Sequence, residues 1–168
     1  MTDINLLLKE YLLLSKKNFE EKYPETSIEI DVDLDPGLRP ANIISQDIGR
    51  SLINILDNAF YAVNQRQQQN PADYRPCISI KSQQLENLVE IVIKDNGLGI
   101  PRENRERLFH PFFTTKPTGT GTGLGLSIAY DIVVQEHSGE IKVVSQEGEF
   151  TEFIIHLPSG ASKSEGQS

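Results

Sequence analysis

Asn54 and Asn58 stand four residues apart in a stretch whose apolar residues recur at helical spacing, so both carboxamides project from one helix face. Ile48, Leu52, Ile55, Leu56, Ala59 and Val63 form the apolar stripe, and the asparagines lie away from it. An amide oxygen is a neutral ligand of the kind Mg²⁺ accepts beside water and phosphate. A second stretch, Asp95-Asn96-Gly97-Leu98-Gly99, ends a run of alternating apolar residues. An ionised carboxylate only accepts hydrogen bonds, so Asp95 suits the exocyclic amine of adenine and disfavours a base with a carbonyl there. Gly97 and Gly99 let backbone approach a flat base and permit positive φ. In a third stretch, Gly119-Thr120-Gly121-Thr122-Gly123-Leu124-Gly125-Leu126, glycines alternate up to a helix start, where backbone N–H groups bind anions. No Gly-Lys-Ser/Thr closes it, as a P-loop requires. No strand immediately precedes it, as a dinucleotide fingerprint requires. Between these lies Leu108-Phe109-His110-Pro111-Phe112-Phe113-Thr114-Thr115-Lys116. Its adjacent aromatics pin a loop by burying rings, and Lys116 offers a point charge to a terminal phosphate. Taken singly, these stretches also read as a polar helix face, a glycine turn, a linker and a core phenylalanine pair.

The elements that must position these residues follow from periodicity. Ile4, Leu7, Leu8, Tyr11 and Leu14 predict a helix over 4–21, closed by Pro24. Ile28, Ile30, Val32 and Leu34 alternate with charged residues and predict a half-buried strand, followed by an Asp35-Pro36-Gly37 turn. Ser45 is read as the N-cap of a helix running to about Arg66. A loop around Asn70-Pro71 leads to hairpin strands over 77–82 and 88–94, a short helix over 102–108, and a helix over 126–136 ended by His137-Ser138-Gly139. A final hairpin, 140–146 with 150–157, turns about Gly148. This order predicts an α+β two-layer sandwich: a mixed sheet of about five strands, helices on one face, and a mobile lid over 112–125. Residues 1–23 form either the domain's own first helix or a connection to an upstream helical domain. Residues 24–158 form the domain proper, and 159–168, small and polar, read as a disordered tail.

Bulk properties exclude several classes. The 168 residues are 38% hydrophobic and 24% charged, an ordinary soluble balance. No apolar run approaches the ~20 residues of a membrane span, and the start lacks a signal-peptide pattern. A single cysteine, Cys77, forbids an internal disulfide and suits a reducing cytosol, so a cytoplasmic location is expected. A net charge of −8 argues against nucleic-acid or anionic-membrane contact.

In their order and spacing the four stretches resemble the ATP-binding catalytic domain of sensor histidine kinases, within the wider ATPase family that includes gyrase, the heat-shock chaperone and mismatch-repair proteins. The resemblance spans about Pro24 to Pro158. It comprises an asparagine box (Asn54, Asn58), a first glycine box (Asp95, Gly97, Gly99), a phenylalanine box (Phe109 to Phe113) and a second glycine box (Gly121, Gly123, Gly125). It implies that Asn58 holds Mg²⁺ with Asn54 assisting near the phosphates. It implies that Asp95 binds adenine with Thr151 in support. Lys116 and the amides of Gly123, Leu124, Gly125 and Leu126 would hold phosphates. Phe112 and Phe113 would fix the lid, and Thr114, Thr115 and Thr122 would line the nucleotide from it. The chain departs from the family's pattern at Phe60-Tyr61-Ala62, where many members carry a basic residue, and at Gly148-Glu149-Phe150, which is poorer in glycine.

In gyrase-like relatives a glutamate that activates water stands where this chain has Asn54, and an amide is no general base. The site is therefore expected to hold ATP without efficient hydrolysis and to favour phosphoryl transfer by positioning and charge neutralisation. None of His110, His137 or His156 sits in a paired long helix with an acidic neighbour. They read as a loop residue, a helix C-terminal cation and a strand surface group. The acceptor histidine is therefore expected on a separate dimeric helical domain of the same kinase, with a response regulator downstream and this segment monomeric. Two alternatives share the fold: a serine-kinase anti-sigma-like protein, and a nucleotide-gated interaction module that transfers nothing.

Overall fold

The computed structural model describes residues 1–69, 72–111, 113 and 124–159. Helix α1 spans Ile4–Lys22; the Asp3 carboxylate caps it by accepting the Leu6 N–H at 3.1 Å. Its Ile4, Leu7, Leu8 and Phe19 are buried and it packs along α2, Ser45–Gln69. Phe19 stacks on Phe60 with centroids 5.1 Å apart. The predicted capping role of Ser45 is not what the backbone shows. Asp47 and Ile48 both donate to the Ile44 carbonyl, so Ser45 is the first helical residue, and its hydroxyl pairs with that of Thr2 at 2.9 Å.

The sheet has the order β1-β2-β3-β5-β4, with β1 Glu29–Asp33, β2 Cys77–Gln84, β3 Leu88–Asp95, β4 Glu140–Gln146 and β5 Phe150–Pro158. Strands β1 and β2 are parallel and the other pairs antiparallel, so the sheet is mixed as expected. Alternation places Ile78, Ile80, Val89, Ile91, Ile93, Phe153, Ile155 and Leu157 on the buried face, against the apolar stripe of α2. The outcome is the α+β architecture predicted from the pattern. Strand β1 is less buried than its alternation suggested: Ile30 is half-buried and Val32 is 44% exposed. It is an edge strand, and its Glu29, Asp31 and Asp33 are the charges that discourage further strand pairing.

Five other readings change. The short helix is a single turn, α3, Arg102–Arg105. The predicted helix over 126–136 is two pieces, α4 Gly125–Tyr130 and a π-helix Asp131–Glu136, after which the Gly139 N–H reaches back to the Val133 carbonyl. His137 is tied into the fold rather than left free at a helix end: its Nε2 accepts the Ile44 N–H at 3.0 Å, and its Nδ1 lies 2.8 Å from the Ile132 carbonyl. His156 is not a free surface group, since its Nε2 pairs with Glu90 at 2.9 Å. Ser159, read as the start of the tail, is buried; it donates its N–H to the Asn87 carbonyl and its hydroxyl accepts from Gln84. Residues 160–168 lie outside the described residues. Among the described residues no helix is long and apolar enough to cross a membrane.

Candidate functional site

Asn54, Asn58, Ala62 and Arg66 are spaced four apart and form one ridge along α2. At its N-terminal end Asn54 donates its amide to the Gly125 carbonyl, 2.9 Å away, where α4 begins. Two turns on, Ala62 is in contact with the turn after β3: a Cβ on Gly97 would lie 2.5 Å from the Ala62 carbonyl carbon. At the far end Arg66 donates to the carbonyls of Asn96, Gly97 and Glu149, at 3.0, 3.3 and 3.2 Å. Asn58 stands between these contacts. It is half-buried, and its side chain makes no hydrogen bond among the described residues. The asparagine pair, the first glycine turn and the start of the second-glycine-box helix therefore meet along a single helix face.

Asp95 ends β3 and is paired with Ile78 on one side and Thr151 on the other. It is 3% exposed. One carboxylate oxygen accepts the Gly97 N–H at 2.8 Å. Burial pushes its pKa up to about 7, and the Gly97 N–H offsets only part of that. A buried carboxylate with one oxygen tied to backbone and no ion pair among the described residues is under-solvated, and an amine donor from a ligand would relieve it. Thr151, expected to support the base, is buried beside it on β5 and pairs with the Ser145 hydroxyl at 3.1 Å. Ser145 in turn donates to the Phe150 carbonyl and accepts the Ile100 N–H at 2.8 Å. The Arg105 guanidinium donates to the Ser145 carbonyl, which holds α3 to the β4–β5 hairpin.

The two glycines of the turn do different work from the one predicted for both. Gly99 takes φ 72° and lies hard against the Gln146 carbonyl. Gly97 has no positive φ; its lack of a side chain is what allows the turn to sit on α2. Phe113 is half-buried with Arg107 5.5 Å over its ring, and Phe109 packs on Tyr130 and Phe153 at 5.5 and 6.4 Å. Leu124, Gly125 and Leu126 are half-buried, and the Leu124 carbonyl accepts the Ile128 N–H and the Ser127 hydroxyl. Phe112, Thr114, Thr115, Lys116, Gly121, Thr122 and Gly123, and with them the predicted lid, lie outside the described residues.

The site contains residues that motif reading passed over. Asn96 bridges Tyr74, Cys77 and Arg75 through its side chain, with the Cys77 N–H 2.8 Å from its Oδ1. Tyr74 donates to the Asn96 carbonyl at 2.8 Å, and burial holds its phenol well above the usual range. The only sequence signal for this set was the position of Asn96 inside the aspartate-glycine stretch. Among the described residues no three His, Cys, Asp or Glu side chains gather into a metal cage. The donors that do fit a metal are neutral oxygens, Asn58 foremost, which suits an ion that arrives with phosphate and water.

Known proteins share this fold. Residues 44–161 match the family model described as histidine kinase-, DNA gyrase B- and HSP90-like ATPase. The catalytic domain of the histidine kinase ThkA superposes with a TM-score of 0.75 at 31% identity, covering 94% of this chain and 95% of that one. Full-length ShkA, in complex with AMPPNP, shares the fold with a TM-score of 0.76 at 22% identity, covering 97% of this chain and 31% of that one. Sporulation kinase E of Bacillus subtilis (strain 168) is 31% identical over 92% of this chain, and the signal transduction histidine-protein kinase AtoS of Escherichia coli (strain K12) is 32% identical over 92%. The chain spans only 22% and 23% of the length of those two relatives. This chain belongs to the histidine kinase-, DNA gyrase B- and HSP90-like ATPase family, and its likeness is to the catalytic domains of two-component sensor histidine kinases.

Proposed function

We propose that this domain binds Mg·ATP and passes the γ-phosphoryl group to a histidine on a separate helical dimerisation domain of the same kinase, which then serves a response regulator. The observation that carries the reading is the α2 ridge, with Asn58, whose amide makes no hydrogen bond among the described residues, between the Asp95 turn and the start of α4. Adenine sits against Asp95, which accepts the exocyclic amine, and Thr151 flanks it. Asn58, with Asn54 in support, offers oxygen to Mg²⁺, which would neutralise phosphate charge when bound. Lys116 and the glycine-rich segment up to Leu126 hold the phosphates, under Phe112 and Phe113.

The residues bind and orient rather than react. Asn54 occupies the place where a hydrolysing relative needs a base, and its amide is engaged with Gly125. Water is thus not activated, and the γ-phosphorus is left for an imidazole nitrogen to attack. The N–P bond forms as the bond to the β,γ-bridging oxygen breaks, and ADP departs with that electron pair. His137, hydrogen-bonded through both ring nitrogens, and His156, paired with Glu90, are already engaged within the domain. Labelled ATP, this chain and a histidine-bearing dimerisation domain supplied separately should give label on that domain, stable to base and lost in acid. Acid-stable label, as on serine, or no label at all would contradict the proposal.

A further inference from the structure

The aim of Asp95 depends on how its turn is fixed, and that fixing comes from outside the turn. The Asp95–Gly97 segment has only one internal restraint, the Gly97 N–H to the Asp95 carboxylate. Asn96 is tied to Cys77 and Arg75, and a further set of bonds, which joins the turn to α2, converges on Arg66. Its guanidinium gathers three carbonyls from two loops: Asn96 and Gly97 after β3, and Glu149 in the β4–β5 turn. It stacks over the Tyr74 ring with 4.7 Å to the centroid, and the Tyr74 hydroxyl donates to the same Asn96 carbonyl. No ion pair involves Arg66 among the described residues, so its charge is directed at carbonyl dipoles. None of these carbonyls belongs to α2, so this is not a helix C-cap. Arg66 shares the ridge with Asn58, eight residues or about 12 Å along the axis at the helical rise. One rigid helix thus carries both the amide offered to the metal and the clamp on the adenine turn.

We infer that Arg66 is the positioning residue for base recognition: it binds the turn after β3 to α2, fixes where the Asp95 carboxylate points, and so sets the preference for adenine over guanine. This rests on the ATP-binding reading above. Removing the clamp frees the turn to move, and misplacing a recognition group by about 1 Å is enough to lose much of its effect. The phosphate end of the ligand is held elsewhere and does not feel the change.

The test is calorimetric titration of the whole chain with Mg·ATP and with Mg·GTP at pH 8, for the unaltered protein, Arg66→Met and Arg66→Lys, with the melting temperature of each measured alongside. The unaltered protein should prefer ATP. Arg66→Met should weaken ATP by about tenfold or more while GTP affinity stays within about twofold, so the ratio collapses. Arg66→Lys keeps the charge but loses the flat stack on Tyr74, and should fall between them. If Arg66→Met does not fold, the lysine variant alone decides. An ATP-to-GTP ratio unchanged by the substitutions, whatever the melting temperatures do, overturns the inference and leaves ATP binding standing. An unaltered protein that binds neither nucleotide overturns the ATP-binding reading itself, and the inference with it.

Discussion

Asp95 is held against its own solvation. A carboxyl whose pKa rises from an ordinary 3.8 to about 7 on folding favours the protonated form inside the protein. The stability this group allows is fully present below about 4 and is lost as pH climbs to about 7, on the order of 4 kcal/mol in all. Asp95→Asn should therefore raise the melting temperature at pH 8 while weakening ATP binding, a trade expected where a site is kept for function at the expense of stability. Thermal melts and nucleotide titrations of the same variant check both halves; a variant that melts lower and binds ATP unchanged would remove Asp95 from the site. The pH dependence has a definite sign. ATP needs the ionised form to accept its amine, so affinity should fall as pH drops below about 7, by up to about tenfold per unit. Titrations between pH 6 and 8 should show this slope in the unaltered chain and not in Asp95→Asn.

Helix α2 is the element on which the site depends. Its apolar stripe meets the sheet, its N-terminal half holds α4 through Asn54, and its C-terminal half seats the turn after β3. Gly97→Ala tests the seating directly. The added Cβ would meet backbone atoms of Ala62, which cannot swing aside, so the turn must lift from the helix. Strain of this kind typically costs about 1–3 kcal/mol. The variant should melt lower and bind ATP at least about tenfold more weakly; normal affinity would show that the contact does not position the turn. Much of this element was legible in advance, because Ile48 through Val63 repeat at a helical period and the two asparagines fall on one face. What lay beyond reach was tertiary. The partners of Arg66 are backbone carbonyls, which carry no signature in side-chain identity. The π-helix was invisible because Ile128 to Val134 span too few turns for a wider period to show. The exposure of β1 depends on which strand lies at the edge, and alternation alone does not say.

At the scale of the whole molecule, strand pairing and helix packing bring motifs from residues 54 to 151 onto one end of the sheet. Asp95 and Thr151 become neighbours only through β3–β5 register, and Asn54 meets Gly125 only because α2 and α4 pack together. The order of the motifs was readable from the chain, and their convergence on one site required the fold. On the proposed reading the labour is divided along one helix face: one end would manage metal and phosphate, the other would fix the group that reads the base. The most direct measurement is a titration of the intact chain with ATP, with and without Mg²⁺, repeated for Asn58→Ala. Binding should tighten with Mg²⁺ in the unaltered protein, and in Asn58→Ala the affinity should no longer respond to the metal. An Asn58→Ala variant whose ATP affinity still rises with Mg²⁺ as in the unaltered chain would place the metal elsewhere and contradict the proposed reading.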